Sequence, residues 1–180
     1  FICPTPIGNL EDITIRAKRI LSEVETIAAE DTRHTRQLLS EMSIDTPMVS
    51  FHEHNKEERV EELLQELRAG RDIALVSDAG TPGIADPGYT IVRAAVEAGF
   101  CVVPLPGAVA AMVALSGSGF PTDRFTFHGF VPRGGRSRQQ LLDQLVYAAE
   151  TAILYESPHR IRRLLEDLGD VGIAGFEGHH

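Results

Sequence analysis

The clearest indication of the fold of this 180-residue chain is the segment Ile73-Ala74-Leu75-Val76-Ser77-Asp78-Ala79-Gly80-Thr81-Pro82-Gly83. Its first four residues form an apolar run typical of a buried strand, and the Gly and Pro residues that follow predict a tight loop. Apolar residues recur with helical spacing on both sides of it, over 56–69 and over 89–98. A strand between two such helices predicts right-handed βαβ crossovers and a mostly parallel sheet.

The same alternation continues along the whole chain and predicts an α/β fold. The other predicted strands are 1–3, 26–29, 48–50, 100–103, 125–130 and 152–155. The other predicted helices are 12–23, one that follows Asp31, one near 107–115, 137–147 and 159–168. Asn55 is expected to cap the helix over 56–69, and Gly70 to end it.

Two domains are expected, because Pro104-Leu105-Pro106-Gly107 interrupts the pattern and a different one follows. The first is an N-terminal α/β domain over 1–105, and the second is a C-terminal α/β domain over 106–176. The second is too short to close its own core, so we expect it to be truncated. The final residues, 177–180, are typical of a tag remnant.

Composition narrows the function classes. The chain carries 17 Lys and Arg against 26 Asp and Glu, a net charge of −9, which excludes broad phosphate binding through overall charge but leaves room for a local basic patch. Two cysteines exclude a disulfide scaffold and suit a reducing, cytoplasmic location. No apolar run approaches the roughly 20 residues of a membrane span, so no membrane association is expected.

Three loops follow predicted parallel strands and share Gly and Pro: Thr5–Asn9, Ser77–Gly83 and Leu105–Ala108. The carboxyl ends of parallel strands meet at one edge of a sheet, where open α/β sheets bind ligands, so we expect these loops to converge. They contain Asp78 and no Lys or Arg, and the chain has neither dinucleotide-binding nor P-loop glycine spacing. A cationic ligand without phosphate, such as S-adenosylmethionine, is therefore favoured over ATP or NAD.

Six motifs occur in a fixed order along the chain: Thr5-Pro6-Ile7-Gly8-Asn9-Leu10, Ala28-Ala29-Glu30-Asp31-Thr32-Arg33, Ser77-Asp78-Ala79-Gly80-Thr81-Pro82, Asp86-Pro87-Gly88, Pro104-Leu105-Pro106-Gly107-Ala108 and Tyr155-Glu156-Ser157-Pro158-His159-Arg160. Over residues 1 to about 168 the chain resembles the ribosomal RNA small subunit methyltransferase I family, a branch of the tetrapyrrole methylase superfamily. The resemblance implies two α/β domains with the cofactor in the cleft between them. It also implies a homodimer that performs S-adenosylmethionine-dependent 2′-O-methylation of a cytidine ribose in small-subunit ribosomal RNA. We expect the assembled subunit to be the partner. No metal is expected, because methyl transfer from a sulfonium can be catalysed mostly by positioning donor and acceptor.

The resemblance also implies the cofactor-binding residues. Those of the first domain are Pro6, Ser77, Asp78, Ala79, Gly80, Thr81 and Ile84, and those that open the helix beside the cofactor, just after the domain boundary, are Pro106, Gly107 and Ala108. Those that face the cofactor from the second domain are Ser116, Gly117, Phe127, His128 and Gly129. Gly83-Ile84-Ala85 departs from the Leu-Ile-Ser expected of the family, a minor change if the backbone binds the ligand.

Asp31 is the first candidate for a base, or for a group that orients the ribose hydroxyl, because it directly follows a predicted strand. The alternative is that Asp31 only caps the following helix.

The segment His52-Glu53-His54 could be read as a metal site. It lacks a third ligand at a clear spacing, and a polar loop is the simpler explanation.

Local arginine clusters are candidates for binding the RNA backbone despite the acidic total charge. The candidates are Arg33, Arg36, Arg133, Arg136 and Arg138. The last three surround a Gly-Gly loop, as in a phosphate clamp, whereas a tetrapyrrole cleft would need a wider apolar floor. Two alternatives stay open: a methyltransferase for a tetrapyrrole or another small molecule, and a non-catalytic S-adenosylmethionine-binding module.

Overall fold

The computed structural model describes residues 1–171, in two compact units. The first unit is Phe1–Ala110, and the second begins at Ala111. In the first unit the strands are β1 (Thr26–Ala29), β2 (Met48–Ser50) and β3 (Ile73–Val76), and the helices are α1 (Ile15–Glu23), α2 (Thr32–Glu41), α3 (Lys56–Arg68) and α4 (Gly88–Glu97), with a short 3-10 turn at Leu10–Asp12. The predicted helices and central strands are confirmed, with small shifts of their ends.

The sheet of the first unit is parallel, in the order β2-β1-β3. Ile27 pairs with Met48 on one side and with Ala74 on the other. Because every strand is followed by a helix that returns to the same end, the carboxyl ends of all three strands lie at one edge.

Apolar residues alternate along the strands and fill both faces of this sheet. Ile27 and Val76 belong to a buried cluster with Leu21 of α1 and Leu39 of α2. On the other face, Leu75 of β3 and Ala28 of β1 pack with Leu63 of α3 and Ile91 of α4. Each fully buried aliphatic side chain of this kind stabilises the fold by roughly 1.5–3 kcal/mol.

The predicted strands at 1–3 and 100–103 do not form regular strands. Ile2 makes isolated parallel bridges to Leu75 and to Pro104, and its N–H donates to the carbonyl oxygen of Val103 over 3.0 Å. The Leu105 N–H donates to the carbonyl oxygen of Ile2 over 3.0 Å. Pro4 has no N–H with which to continue this pairing.

The prediction that Asn55 caps α3 is confirmed for its position but not for a side-chain bond. Asn55 occupies the N-cap position but makes no side-chain capping bond. Its side-chain oxygen instead accepts from the His52 N–H over 2.8 Å, and its amide donates to the Ser50 carbonyl oxygen over 3.1 Å. Both the oxygen and the nitrogen of the Asn55 amide are therefore hydrogen-bonded to the preceding turn.

The second unit is built on two parallel strands, β4 (Phe125–Phe130) and β5 (Thr151–Tyr155). Helix α5 (Ala110–Gly117) precedes them, α6 (Gly135–Val146) connects them, and α7 (Ile161–Asp170) follows. Leu141, Leu145, Leu164 and Leu168 form the centre of its core. None of the helices within residues 1–171 combines the length and apolar character needed to cross a bilayer.

Candidate functional site

The three Gly- and Pro-containing loops of the first unit converge, as the sequence predicts. The N–H of Thr5 donates to the carbonyl oxygen of Gly80 over 2.9 Å, and the N–H of Gly80 donates back to Thr5 over 3.1 Å. The Thr81 hydroxyl donates to the carbonyl oxygen of Ala108 over 2.8 Å. Hydrogen bonds thus join the loop after β3 to the two other loops at one edge of the sheet.

Glycines allow the close approach of these loops. Gly80 has a φ of +90°, and a Cβ there would lie 3.4 Å from the Ile7 side chain. A Cβ on Gly107 would lie 2.3 Å from Cβ of Pro4, far inside van der Waals contact. Any side chain at Gly107 would therefore push the loops apart.

Asp86 holds the turn at 83–88, which follows the loop after β3. Its Oδ1 accepts from the N–H groups of Gly83 and Gly88, each over 2.7 Å. This turn carries Ile84, whose side chain is exposed, and Ala85, which adopts a left-handed φ of +63°.

The predicted cofactor residues of the first unit differ in what they offer a ligand. Ser77 is buried, and its hydroxyl donates to the Gly80 carbonyl oxygen over 3.3 Å. Its side chain therefore stabilises the loop and is not free to bind a ligand. Ala79, Pro106 and Gly107 are exposed. A ligand at this edge would thus meet mainly backbone and small side chains.

Carboxylates surround the start of α2. The Asp31 N–H donates to Oδ1 of Asp78 over 3.0 Å. Burial raises the pKa of the half-buried Glu30, and the negative charges of Asp78 and Asp86 raise this pKa further. Glu30 therefore accepts a proton more readily than a free glutamate, a property that sequence reasoning missed although Glu30 directly follows β1.

Asp31 acts as the cap of α2. Its carboxylate accepts from the Arg33 N–H over 2.8 Å and pairs with the Arg33 guanidinium over 2.9 Å. Hydrogen bonds from the Arg33 side chain, then from its backbone, lower the pKa of Asp31 to about 2. A carboxylate with so low a pKa is a poor base, and these contacts are those of the helix cap that the sequence leaves open as the alternative.

A cavity of about 320 Å³ adjoins the converging loops within the first unit. One wall is the loop with Pro6, Ile7, Gly8 and Leu10, the other is the face of α2 with His34, Gln37, Leu38 and Glu41, and the floor is Asp78 and Ala79. This helix face is not among the predicted site residues, although its spacing of i, i+3, i+4 and i+7 is visible in the sequence.

The remaining cofactor candidates lie in the second unit. Phe127, His128 and Gly129 lie on β4, and Ser116 and Gly117 end α5. The Phe127 ring packs edge-on against Tyr155, with centroids 4.9 Å apart, and the Tyr155 hydroxyl accepts from the Ala111 N–H over 3.1 Å. Gly129, with a φ of +66°, lies where the pairing of β4 with β5 shifts register.

Four of the five arginine candidates, Arg33, Arg36, Arg133 and Arg136, are exposed. Arg138 is the exception, and its prediction as a phosphate contact is corrected: its side chain is only 6% exposed. It pairs with Asp167 over 2.6 Å and donates to the Pro132 carbonyl oxygen over 2.9 Å. These internal partners occupy the guanidinium that a phosphate would need.

The His52 and His54 rings lie 6.0 Å apart, edge to face. Within residues 1–171, no group of three or more His, Cys, Asp and Glu side chains is placed to hold a metal ion.

Residues 1–175 match the family model described as Tetrapyrrole (Corrin/Porphyrin) Methylases. The chain belongs to this family. The resemblance stated from the sequence motifs is thereby confirmed at the level of the methylase family.

Curated relatives of this methylase carry the name Ribosomal RNA small subunit methyltransferase I. The protein of Synechocystis sp. is 54% identical over 168 residues, which cover 93% of this chain and 60% of the relative. The protein of Escherichia coli O157:H7 is 51% identical over 168 residues, with 93% and 59% covered. The chain therefore spans about 60% of the length of the curated relatives that it matches.

Solved structures share the fold at low sequence identity. Uroporphyrin-III-C-methyltransferase from Thermus thermophilus superposes with a TM-score of 0.62 at 21% identity, covering 93% of this chain and 71% of that one. Diphthine synthase superposes with a TM-score of 0.71 at 15% identity, with the same coverage. These neighbours confirm the α/β fold with parallel sheets.

Proposed function

We propose that this methylase transfers a methyl group from S-adenosylmethionine to the 2′-hydroxyl of a cytidine ribose in small-subunit ribosomal RNA. The observation that carries the proposal is the convergence of the loops at Thr5, Gly80–Thr81 and Ala108. The curated relatives, 47–54% identical, are named for methylation of this RNA.

The residues at the converging loops fit the proposed cofactor. They present backbone, small side chains and Asp78, with no Lys or Arg in the loop sequences. A structure of the uroporphyrin-III C-methyl transferase of Thermus thermophilus, 20% identical with a TM-score of 0.62, holds S-adenyl homocysteine. In this chain the main chain of 77–81 and 106–108 would hold the corresponding ligand.

S-adenosylmethionine supplies an electrophilic methyl group, and the protein must position the acceptor hydroxyl and take up its proton. No metal is required for this displacement, because orientation alone lowers the barrier substantially. Of the two neighbouring carboxylates, Glu30 is the better proton acceptor because its pKa is raised. Asp31, held ionised by Arg33, is suited to orient the hydroxyl.

Exposed arginines would bind the phosphates of the assembled small subunit in the cytoplasm. Arg133 and Arg136 lie on either side of Gly134-Gly135, where α6 begins, and both are exposed. This favours RNA over a tetrapyrrole acceptor. The protein is also proposed to work as a homodimer, as its resemblance to the family implies, which sedimentation equilibrium would test.

The experiment offers small subunits from cells that lack the endogenous methyltransferase, together with labelled S-adenosylmethionine, and maps the methylated nucleotide by mass spectrometry. The proposal predicts one cytidine with a ribose methyl group.

Replacing Arg133 and Arg136 together by Gln should lower kcat/KM and weaken its salt dependence without changing cofactor affinity. Lys18→Gln, an exposed cation on α1, is the matched control. Labelling of a tetrapyrrole but not of RNA, or cofactor binding without any transfer, would instead support one of the two alternatives.

A further inference from the structure

The cavity between α2 and the loop at Pro6–Leu10 has walls of two chemical kinds. Ile7, Leu10 and Leu38 provide apolar surface, and Gln37 and Glu41 provide polar groups. Gln37 and Glu41 are four residues apart on α2, so they point from the same face of the helix. The cavity thus combines aliphatic walls with a polar side.

The polar side of the cavity consists of exposed side chains that have no protein partner among the described residues. The side chains of Gln37 and Glu41 make no hydrogen bond or ion pair with any of residues 1–171, whereas Arg33 on the same helix pairs with Asp31. The carboxylate of Glu41 is an acceptor only, and the amide of Gln37 can both donate and accept. Together they offer a donor–acceptor pattern to a bound molecule.

The size and position of the cavity fit a nucleotide base. Its volume of about 320 Å³ lies at the small end of ligand pockets. Its floor is Asp78 and Ala79, which belong to the loop proposed to hold the cofactor. A base seated there would bring its own ribose next to that loop.

Enzymes that modify a nucleotide commonly take its base out of the stack, hold it between apolar side chains and recognise its Watson–Crick edge. Cytosine presents an exocyclic amino donor beside a ring-nitrogen acceptor, and carboxylates accept from that amino group. Uracil presents a carbonyl oxygen in place of the amino group, which a carboxylate repels.

We propose that this cavity holds the extruded base of the acceptor nucleotide, and that Glu41 and Gln37 select cytosine over uracil. Glu41 accepts from the exocyclic amino group, and the Gln37 amide donates to the ring nitrogen. This assignment rests on the proposed function, because it supplies the base recognition for the same methyl transfer.

The test compares two RNA substrates that differ only in the target base, cytidine or uridine, in reconstituted small subunits. Glu41→Gln replaces an acceptor with a group that also donates, so the preference for cytidine should fall by about tenfold or more. The loss should come from slower transfer to cytidine, with faster transfer to uridine, and cofactor affinity should be unchanged. Gln37→Leu removes the donor to the cytosine ring nitrogen, so it should also lower kcat/KM for the cytidine substrate.

Ser40→Ala is the matched control, since Ser40 lies on α2 but not on the cavity and its hydroxyl donates to the Arg36 carbonyl oxygen. Its cytidine preference should equal that of the wild type. An unchanged preference in Glu41→Gln, or an equal loss in Ser40→Ala, would overturn the assignment while the wild type still methylates RNA. Absence of transfer by the wild type to either substrate would contradict the proposed function itself, and the base assignment would fall with it.

Discussion

Gly107 lies so close to Pro4 that a Cβ on Gly107 would be 2.3 Å from Cβ and 2.6 Å from Cγ of the proline. The contact involves a stiff ring, so the neighbour cannot move aside as a flexible side chain would. The loop that ends at Ala108 can therefore lie against Pro4 only because residue 107 has no side chain.

Gly107→Ala should separate the loops at Pro4 and Gly107. We expect a loss of about 1–3 kcal/mol in the free energy of unfolding, as for overpacking elsewhere. Affinity for S-adenosylmethionine should fall, because the main chain of 106–108 moves. Urea unfolding followed by circular dichroism and titration calorimetry measure the two effects.

Gly169→Ala is the control for this substitution, because Gly169 lies in α7 with no atom within 4 Å of the added Cβ. It should stabilise the protein by roughly 0.5–1 kcal/mol, the usual difference between Ala and Gly in a helix. Wild-type stability and cofactor affinity in Gly107→Ala would show that the loop contact has no such role.

Arg138 is expected to act on stability and not on RNA binding. Its guanidinium pairs with Asp167 over 2.6 Å and lies 3.8 Å from the Glu156 carboxylate, which is only 1% exposed. Arg138→Ala removes one partner of a buried pair, which typically costs about 3–5 kcal/mol. Urea unfolding of the variant checks this.

Arg136, an exposed arginine near Arg138 in the sequence, is the control for the effects on stability and on RNA binding. Arg136→Ala should change the free energy of unfolding by less than about 0.5 kcal/mol, as surface substitutions usually do, but should weaken RNA binding. The assignment of the two arginines would be reversed if Arg138→Ala unfolded like the wild type and bound RNA less tightly.

The ionisation of Asp31 gives a prediction about pH. Its pKa in the folded protein, about 2, lies below its ordinary value of 3.8 because Arg33 stabilises the carboxylate. The stabilisation is therefore fully present above 3.8 and is lost as the pH falls through about 2. Above this window the carboxylate stays ionised, and methyl transfer near neutral pH should show no inflection from Asp31.

Carbon-detected NMR titration of the Asp31 carboxyl measures this pKa directly. Arg33→Gln should raise it toward 3.8, while Arg36→Gln on the same helix should leave it in place. A wild-type carboxyl that titrates at its ordinary value would contradict the pairing with Arg33.

The sequence predicts the sheet and its loops well because the signals are local. The apolar run Ile73–Val76 and the Gly and Pro residues after it fix the strand and its loop without any distant contact. The structure therefore confirms the parallel strands and the convergence of the loops at Gly80 and Ala108.

Features that depend on distant partners are not visible in the sequence. Arg138 is buried because Asp167, at the far end of α7, lies against it, and a cluster of arginines in sequence does not indicate this. The raised pKa of Glu30 likewise depends on its burial and then on Asp78 and Asp86, which folding brings close from the loop and turn after β3.

The most direct test of the central claim is a crystal structure of the protein grown with S-adenosylhomocysteine. We predict that the ligand contacts the main chain of Ser77–Gly83 and of Leu105–Ala108, with Asp78 near its positively charged amino group. An ordered ligand bound elsewhere, or loops that remain free of it at saturating concentration, would contradict the claim that this edge of the sheet binds the methyl donor.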